Sequence, residues 1–161
     1  MKFLILAFSI LISSVNQCKS QNKIIGERVN DQNVITVSKD SLINAANNIL
    51  KEQNLSANLT DVSIQEDYID NTNQKYYYVR FTNNDFTIKL VQLLNEDKGN
   101  FYLLHSTLER GTNVSCSGCR KGCDPKRYVD ADGQIEFYCS DCTWGDTKDC
   151  KKTVTQSTLE P

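Results

Sequence analysis

The C-terminal third of the chain carries Cys116-Ser-Gly-Cys119-Arg-Lys-Gly-Cys123, then Cys139-Ser-Asp-Cys142 and, after seven intervening residues, Cys150. These are six of its seven cysteines. Between Ser115 and Pro161 the large apolar residues are only Val129, Ile135, Phe137, Trp144, Val154 and Leu159, with Tyr128 and Tyr138 as amphipathic additions. So few cannot offset the conformational entropy of ordering the segment, so covalent or metal staples are expected. Three arrangements are open. The six thiols can form three disulfides. Alternatively, Cys116, Cys119, Cys139 and Cys142, whose Cys-x-x-Cys pairs stand 19 residues apart, fit zinc-ribbon spacing and leave Cys123 and Cys150 to bridge. Or one Cys-x-x-Cys pair is a redox dithiol.

Compartment ranks these alternatives. Met1-Lys2 gives a positive start, Phe3 to Ile12 is apolar apart from Ser9, and Ser13-Ser14-Val15-Asn16-Gln17 is a polar exit. That is the pattern of a secretory signal over 1–18, and an apolar run of about ten residues is too short to cross a bilayer. Export places the thiols where oxidation competes with metal, which puts three disulfides ahead of zinc. The redox reading ranks last, because no strand-to-helix context surrounds either pair and Trp144 follows the motif. Val15-Asn16-Gln17-Cys18 resembles the lipobox of bacterial lipoproteins, with Gln17 where that family places Gly, Ala or Ser. The resemblance implies acylation of Cys18 and attachment to the cell envelope through it. Parity agrees, since acylation or removal of Cys18 leaves an even six. The expectation is an exported protein, secreted or membrane-anchored.

In the mature chain, 19–33 is polar, with only Ile24, Ile25 and Val29 as apolar anchors, and reads as a flexible tether. Val34-Ile35-Thr36-Val37 reads as a short strand. Ser38 can then cap a helix, Asp40 lies in its first turn, and Val37 with Leu42 has the spacing of a hydrophobic staple. Leu42, Ala45, Ala46, Ile49 and Leu50 recur at three and four, and the pattern fades at Gln53-Asn54. Four extended runs follow, 59–69, 75–82, 86–94 and 101–108, separated by short breaks rich in Asn and Asp that force antiparallel neighbours. Tyr77, Val79 and Phe81 share one face, as do Ile88, Leu90 and Leu94, which supplies the partner surface for the helix; Leu42, Ala46, Ile49, Tyr77, Val79, Phe81, Ile88 and Leu90 make the expected core. Tyr76, Tyr78, Arg80, Thr87 and Lys89 point the other way. The fold class expected is α+β: one helix on a four-stranded antiparallel meander over 34–110, a small cysteine-stapled β module over 111–153, and a flexible tail over 154–161.

A helix laid across such a meander resembles cystatin-like and PepSY-type domains over residues 34 to 108, in topology alone. The Gln-x-Val-x-Gly loop by which cystatins occupy protease clefts has no counterpart; Val91-Gln92-Leu93-Leu94 falls in a strand.

The 18 Lys and Arg residues against 20 Asp and Glu generate no strong field of either sign. Asp124, Asp130 and Asp132 neutralise the cluster of Arg120, Lys121, Lys126 and Arg127, and nucleic acid is excluded as a partner. Candidate catalytic groups are scarce. The one histidine, His105, shares a strand face with Phe101 and Leu103 and reads as a sheet residue. Glu66, Asp67 and Asp70 read as the solvated end of a hairpin, not as a paired acid and base. Asp130-Ala-Asp132-Gly133 begins like a calcium loop, but Glu136 arrives too early for its closing ligand, leaving a hairpin turn. The Asn-x-Ser/Thr triplets at Asn54, Asn58 and Asn113 would matter only in a glycosylating host. The chain is thus expected to be a non-enzymatic binding or structural protein with no cofactor and no resident metal, its partner an unknown protein or surface ligand. The alternative is a metal-binding or thiol-redox protein using Cys116, Cys119, Cys139 and Cys142.

Overall fold

The computed structural model describes residues 23–103, 111–143, 149–157 and 159. The expectations attached to the signal segment, Cys18, His105 and Trp144 lie outside these residues. The helix α1, Lys39–Glu52, forms as its sequence dictates. Ser38 Oγ accepts from the Ser41 amide at 3.2 Å, Asp40 sits in the first turn, and Leu42, Ala46, Ile49 and Leu50 are buried. It ends where Asn54 turns to φ 56° and the Leu55 amide reaches back to the Leu50 carbonyl at 2.9 Å. A left-handed residue closing the last turn is a common helix stop, and Asn tolerates it better than most side chains.

The meander is present as β3 (Asp61–Tyr68), β4 (Lys75–Thr82), β5 (Ile88–Asp97) and β6 (Asn100–Leu103), each antiparallel to the next. It is the middle of something larger. Two strands precede the helix, β1 (Lys23–Val29) and β2 (Gln32–Ile35), joined by Asn30-Asp31 with both residues at positive φ. That is the two-residue hairpin turn whose twist matches the flanking strands. β1 pairs with β6 on its other side. Past the meander, β7 (Thr112–Ser117) pairs with β5 residues 88–92, beside the stretch of β5 that β6 occupies, and β10 (Lys151–Gln156) pairs with β7. The result is an eight-stranded sheet in place of four. The expected tether is therefore structured from Lys23 onward, with Ile25 fully buried. The expected flexible tail likewise includes the second half of β10 and the fully buried Leu159. The cysteine segment, in turn, is not a separate module, since its first and last strands complete the main sheet.

The sheet has two buried faces. On the inner face Ile25, Val62, Ile64, Val79, Phe81, Leu90, Leu94, Phe101, Leu103 and Leu159 close over the helix residues. The expected core is all there, with Tyr77 and Ile88 at its margin. Gly26 lies so close to the Ile64 side chain and the Val34 carbonyl that no β-carbon fits. On the outer face Tyr76 and Tyr78 point away from the helix as expected, yet they are covered, together with Val91 and Val114. Their cover is a separate two-stranded sheet, β8 (Pro125–Val129) and β9 (Ile135–Cys139), which lays Phe137 among them.

Candidate functional site

The hairpin β8–β9 and the disulfides beside it gather the residues with the most chemistry. The cysteines pair in order: Cys116 with Cys139, Cys119 with Cys142, and Cys123 with Cys150, with Cα separations of 5.7, 5.3 and 6.3 Å. The strap of residues 116–123 is thereby laced to the chain running from the end of β9 to the start of β10. Gly118, at φ 115°, faces the Asp149 carbonyl so closely that only a glycine can pass. Each bridge joins a buried cysteine to a half-buried one. Cys116, Cys119 and Cys123 are buried, whereas Cys139, Cys142 and Cys150 are half-buried and are where an external thiol would strike. A bridge closing a loop of about 25 residues stabilises by roughly 3 kcal/mol in the chain-entropy model, so the three lacings bear on whether this apolar-poor region folds at all.

The sulfurs also cluster across bridges. Cys116, Cys139 and Cys150 Sγ lie within 4.8 Å of one another, and so do Cys119, Cys123 and Cys150. Cys150 belongs to both groups. The quartet read as a zinc ribbon, Cys116, Cys119, Cys139 and Cys142, is instead divided between two disulfides, and the cysteine where the sulfurs meet is one which that reading set aside.

Polar contacts hold the hairpin on the sheet. Lys126 Nζ donates to Asp67 Oδ2 at 2.7 Å, which together with the Coulomb field of the same carboxylate raises the lysine above its ordinary pKa. Tyr138 Oη donates to Asp70 Oδ2, and this bond raises the phenol. Lys89 Nζ reaches Asp124 Oδ1 at 2.6 Å, and Lys152 Nζ donates to the Phe137 carbonyl at 2.7 Å. The Arg127 guanidinium lies between Tyr76 and Phe137, 5.3 Å from each ring centroid. Burial lowers its pKa while Tyr76 pushes back. Tyr76 is itself raised, first by burial and then by Asp67.

The carboxylates read as a solvated hairpin end thus have positions and partners. Glu66 holds Lys75 at 2.9 Å, Asp67 holds Lys126, and Asp70 holds Tyr138. Sequence reasoning missed the roles of Asp67 and Asp70 because their partners arrive 59 and 68 residues later. The turn at Asp130 is as expected: its Oδ1 accepts from the amides of Asp132 at 3.0 Å and Gln134 at 2.8 Å. Of the three Asn-x-Ser/Thr triplets, Asn113 is fully buried with its amide donating to Gly111 O and to Ser157, while Asn54 and Asn58 are exposed. At the free end of the hairpin, Tyr128, Val129 and Ile135 are exposed. No protein-family model matches the chain, and neither does any curated protein or solved structure.

Proposed function

We propose that the chain is an exported, non-enzymatic binding module that presents the free end of the β8–β9 hairpin to a protein or surface ligand in the cell envelope, released or held there by an acyl group on Cys18. The carrying observation is the clamp: three disulfides and two carboxylate anchors hold in place a hairpin whose tip exposes Tyr128, Val129 and Ile135. Rigid aromatic and aliphatic side chains on a pre-ordered support lose little entropy on binding, which is what a contact surface needs. Disulfides fit an oxidising compartment, and among the described residues no helix is long and apolar enough to cross a membrane. Glu66, Asp67 and Asp70 spend their lone pairs on Lys75, Lys126 and Tyr138, an arrangement suited to support.

Two experiments test this. Cys18→Ala should release the protein from the membrane fraction without unfolding it; unchanged fractionation would leave plain secretion. A photo-crosslinking residue at Ile135 in the full chain, expressed in its native envelope, should yield one discrete adduct, while the same residue at exposed Asp61 should not. Adducts equal at both positions, or none at Ile135, would overturn the assignment of the surface.

A further inference from the structure

The geometry points to a second activity: when two of its bridges are reduced, the cluster becomes a three-thiolate site for one soft cation, held by Cys116, Cys139 and Cys150. This does not rest on the binding reading above. Metal–thiolate bonds are about 2.3 Å for zinc, which sets sulfur–sulfur separations of about 3.8–4.0 Å around a tetrahedral or trigonal ion. Cys150 Sγ already lies within 4.8 Å of the other two, and once their bridge opens Cys116 and Cys139 Sγ part from bonding distance, by about 2 Å, to reach that spacing. Thiolates select soft ions such as Cu(I), zinc or cadmium over the hard alkaline-earth ions.

Two candidate triads exist, and the backbone chooses between them. Cys116 lies in β7 and Cys150 immediately precedes β10, and these strands are paired from Lys151↔Ser117 and Lys152↔Cys116 onward. Cys139 ends β9, where Lys152 holds the Phe137 carbonyl and Phe137 is buried under the sheet. Cys116 and Cys150 are thus brought together by strand hydrogen bonds that do not depend on the bridges, while Cys139 is kept beside them by the Phe137 packing and the Lys152 contact, the weakest of the three supports once the bridges open. Cys119 and Cys123 lie in the strap between β7 and β8, outside any strand, and lose their placement with their disulfides.

The reduction requires a named reductant. For each bridge, a trialkylphosphine attacks one sulfur and the S–S bond breaks. Water then supplies the oxygen of the phosphine oxide, and its two hydrogens end on the two sulfurs. Reducing Cys116–Cys139 and Cys123–Cys150 yields four thiols, and cation binding displaces the protons of three of them. Cys119–Cys142 need not be opened.

The test uses the whole mature protein, fully reduced with a phosphine, desalted without oxygen and titrated with Cd(II), whose thiolate charge-transfer absorption reports sulfur coordination directly. One cadmium per chain is expected. In this fully reduced state wild type also lacks bridges, so each Cys→Ser variant differs from it by one atom; far-ultraviolet circular dichroism confirms that each retains the sheet. Cys116→Ser, Cys139→Ser and Cys150→Ser should each weaken binding by more than about a hundredfold, since perturbing a ligand's support alone costs about 10–100-fold. The double variant Cys119→Ser/Cys142→Ser should bind as wild type does. Undiminished binding in Cys150→Ser, an equal loss in the double variant, or no charge-transfer band in wild type would overturn the proposal.

Discussion

At the scale of single residues, two side-chain amides make opposite predictions. Asn47 brackets a backbone segment, its Oδ1 accepting from the Leu59 amide at 2.8 Å and its Nδ2 donating to the Leu59 carbonyl at 3.2 Å. Asn47→Ala leaves both backbone groups without that partner and should cost about 1–3 kcal/mol in urea unfolding with the bridges intact. Gln92 is 1% exposed on the inner face, and among the described residues neither of its amide atoms has a hydrogen-bond partner. Replacing it with an apolar side chain of similar shape removes a desolvation cost, so Gln92→Met should raise stability by about 1 kcal/mol. A destabilised Gln92→Met would mean that the amide has a partner in solution, such as an ordered water. Neither effect was legible in the sequence, where Gln92 is one polar residue in an apolar strand.

The tyrosines under and on the hairpin give a pH prediction at the same scale. Burial raises Tyr76 and Tyr78, and the bond to Asp70 raises Tyr138. A raised phenol means that folding favours the neutral form. Its contribution is therefore whole below the ordinary tyrosine value of about 10 and is lost as pH climbs through the raised values. Lys126, raised by Asp67, acts on the same side: folding favours its charged form, which is lost at high pH. These groups should leave stability flat from neutral to mildly alkaline pH and lower it above about pH 10. Tyr76 Oη is buried with no hydrogen-bond partner among the described residues, so Tyr76→Phe should preserve stability at neutral pH and make the alkaline fall shallower. Denaturant midpoints across that range decide it; an unchanged slope in Tyr76→Phe would remove Tyr76 from the account.

At the scale of elements, legibility followed how local the signal is. The helix was readable because its cap, first-turn acid and three-four apolar spacing lie within 17 residues, Ser38 to Asn54, and Ser38→Ala should cost it about 1 kcal/mol in the same unfolding measurement. The meander was readable because short Asn- and Asp-rich breaks separate runs with two-residue periodicity. β1 was not, for a physical reason: the register shifts between Ile24 and Gly26, so Ile25 is an extra residue and the alternation that marks a strand is broken. Asn30-Asp31 carried the remaining signal, as residues that tolerate positive φ. The β7–β10 ladder pairs Val114 with Val154, forty positions away, and no local pattern encodes that choice. At the candidate site, the need for staples was readable from the shortage of apolar residues, while the pairing order and the anchors from Asp67 and Asp70 were set by the tertiary fold.

For the whole molecule, the question is which parts unfold together when the bridges open. β7 and β10 belong to the eight-stranded sheet through the residue pairs from Lys151↔Ser117 to Gln156↔Thr112, and Val114 packs into the outer core. The hairpin β8–β9 forms a sheet of its own, and a lone two-stranded hairpin is marginal in water without packing or cross-links. Once the bridges are reduced, it is left with Phe137 in the outer core, the Asp67 and Asp70 anchors and the Lys152 contact. Reduction without metal should therefore lower amide-exchange protection first in residues 118–143, while β4, β5, β7 and β10 keep theirs. The expected exchange map divides the cysteine segment internally, with its first and last strands behaving as core and its middle as an appendage. Protection lost across β4, β5 and the hairpin together would mean that the disulfides stabilise one indivisible unit. Loss in β7 and β10 along with the hairpin, with β3 to β6 intact, would instead mean that the segment from Thr112 to Gln156 folds as a module after all, despite its pairing with β5.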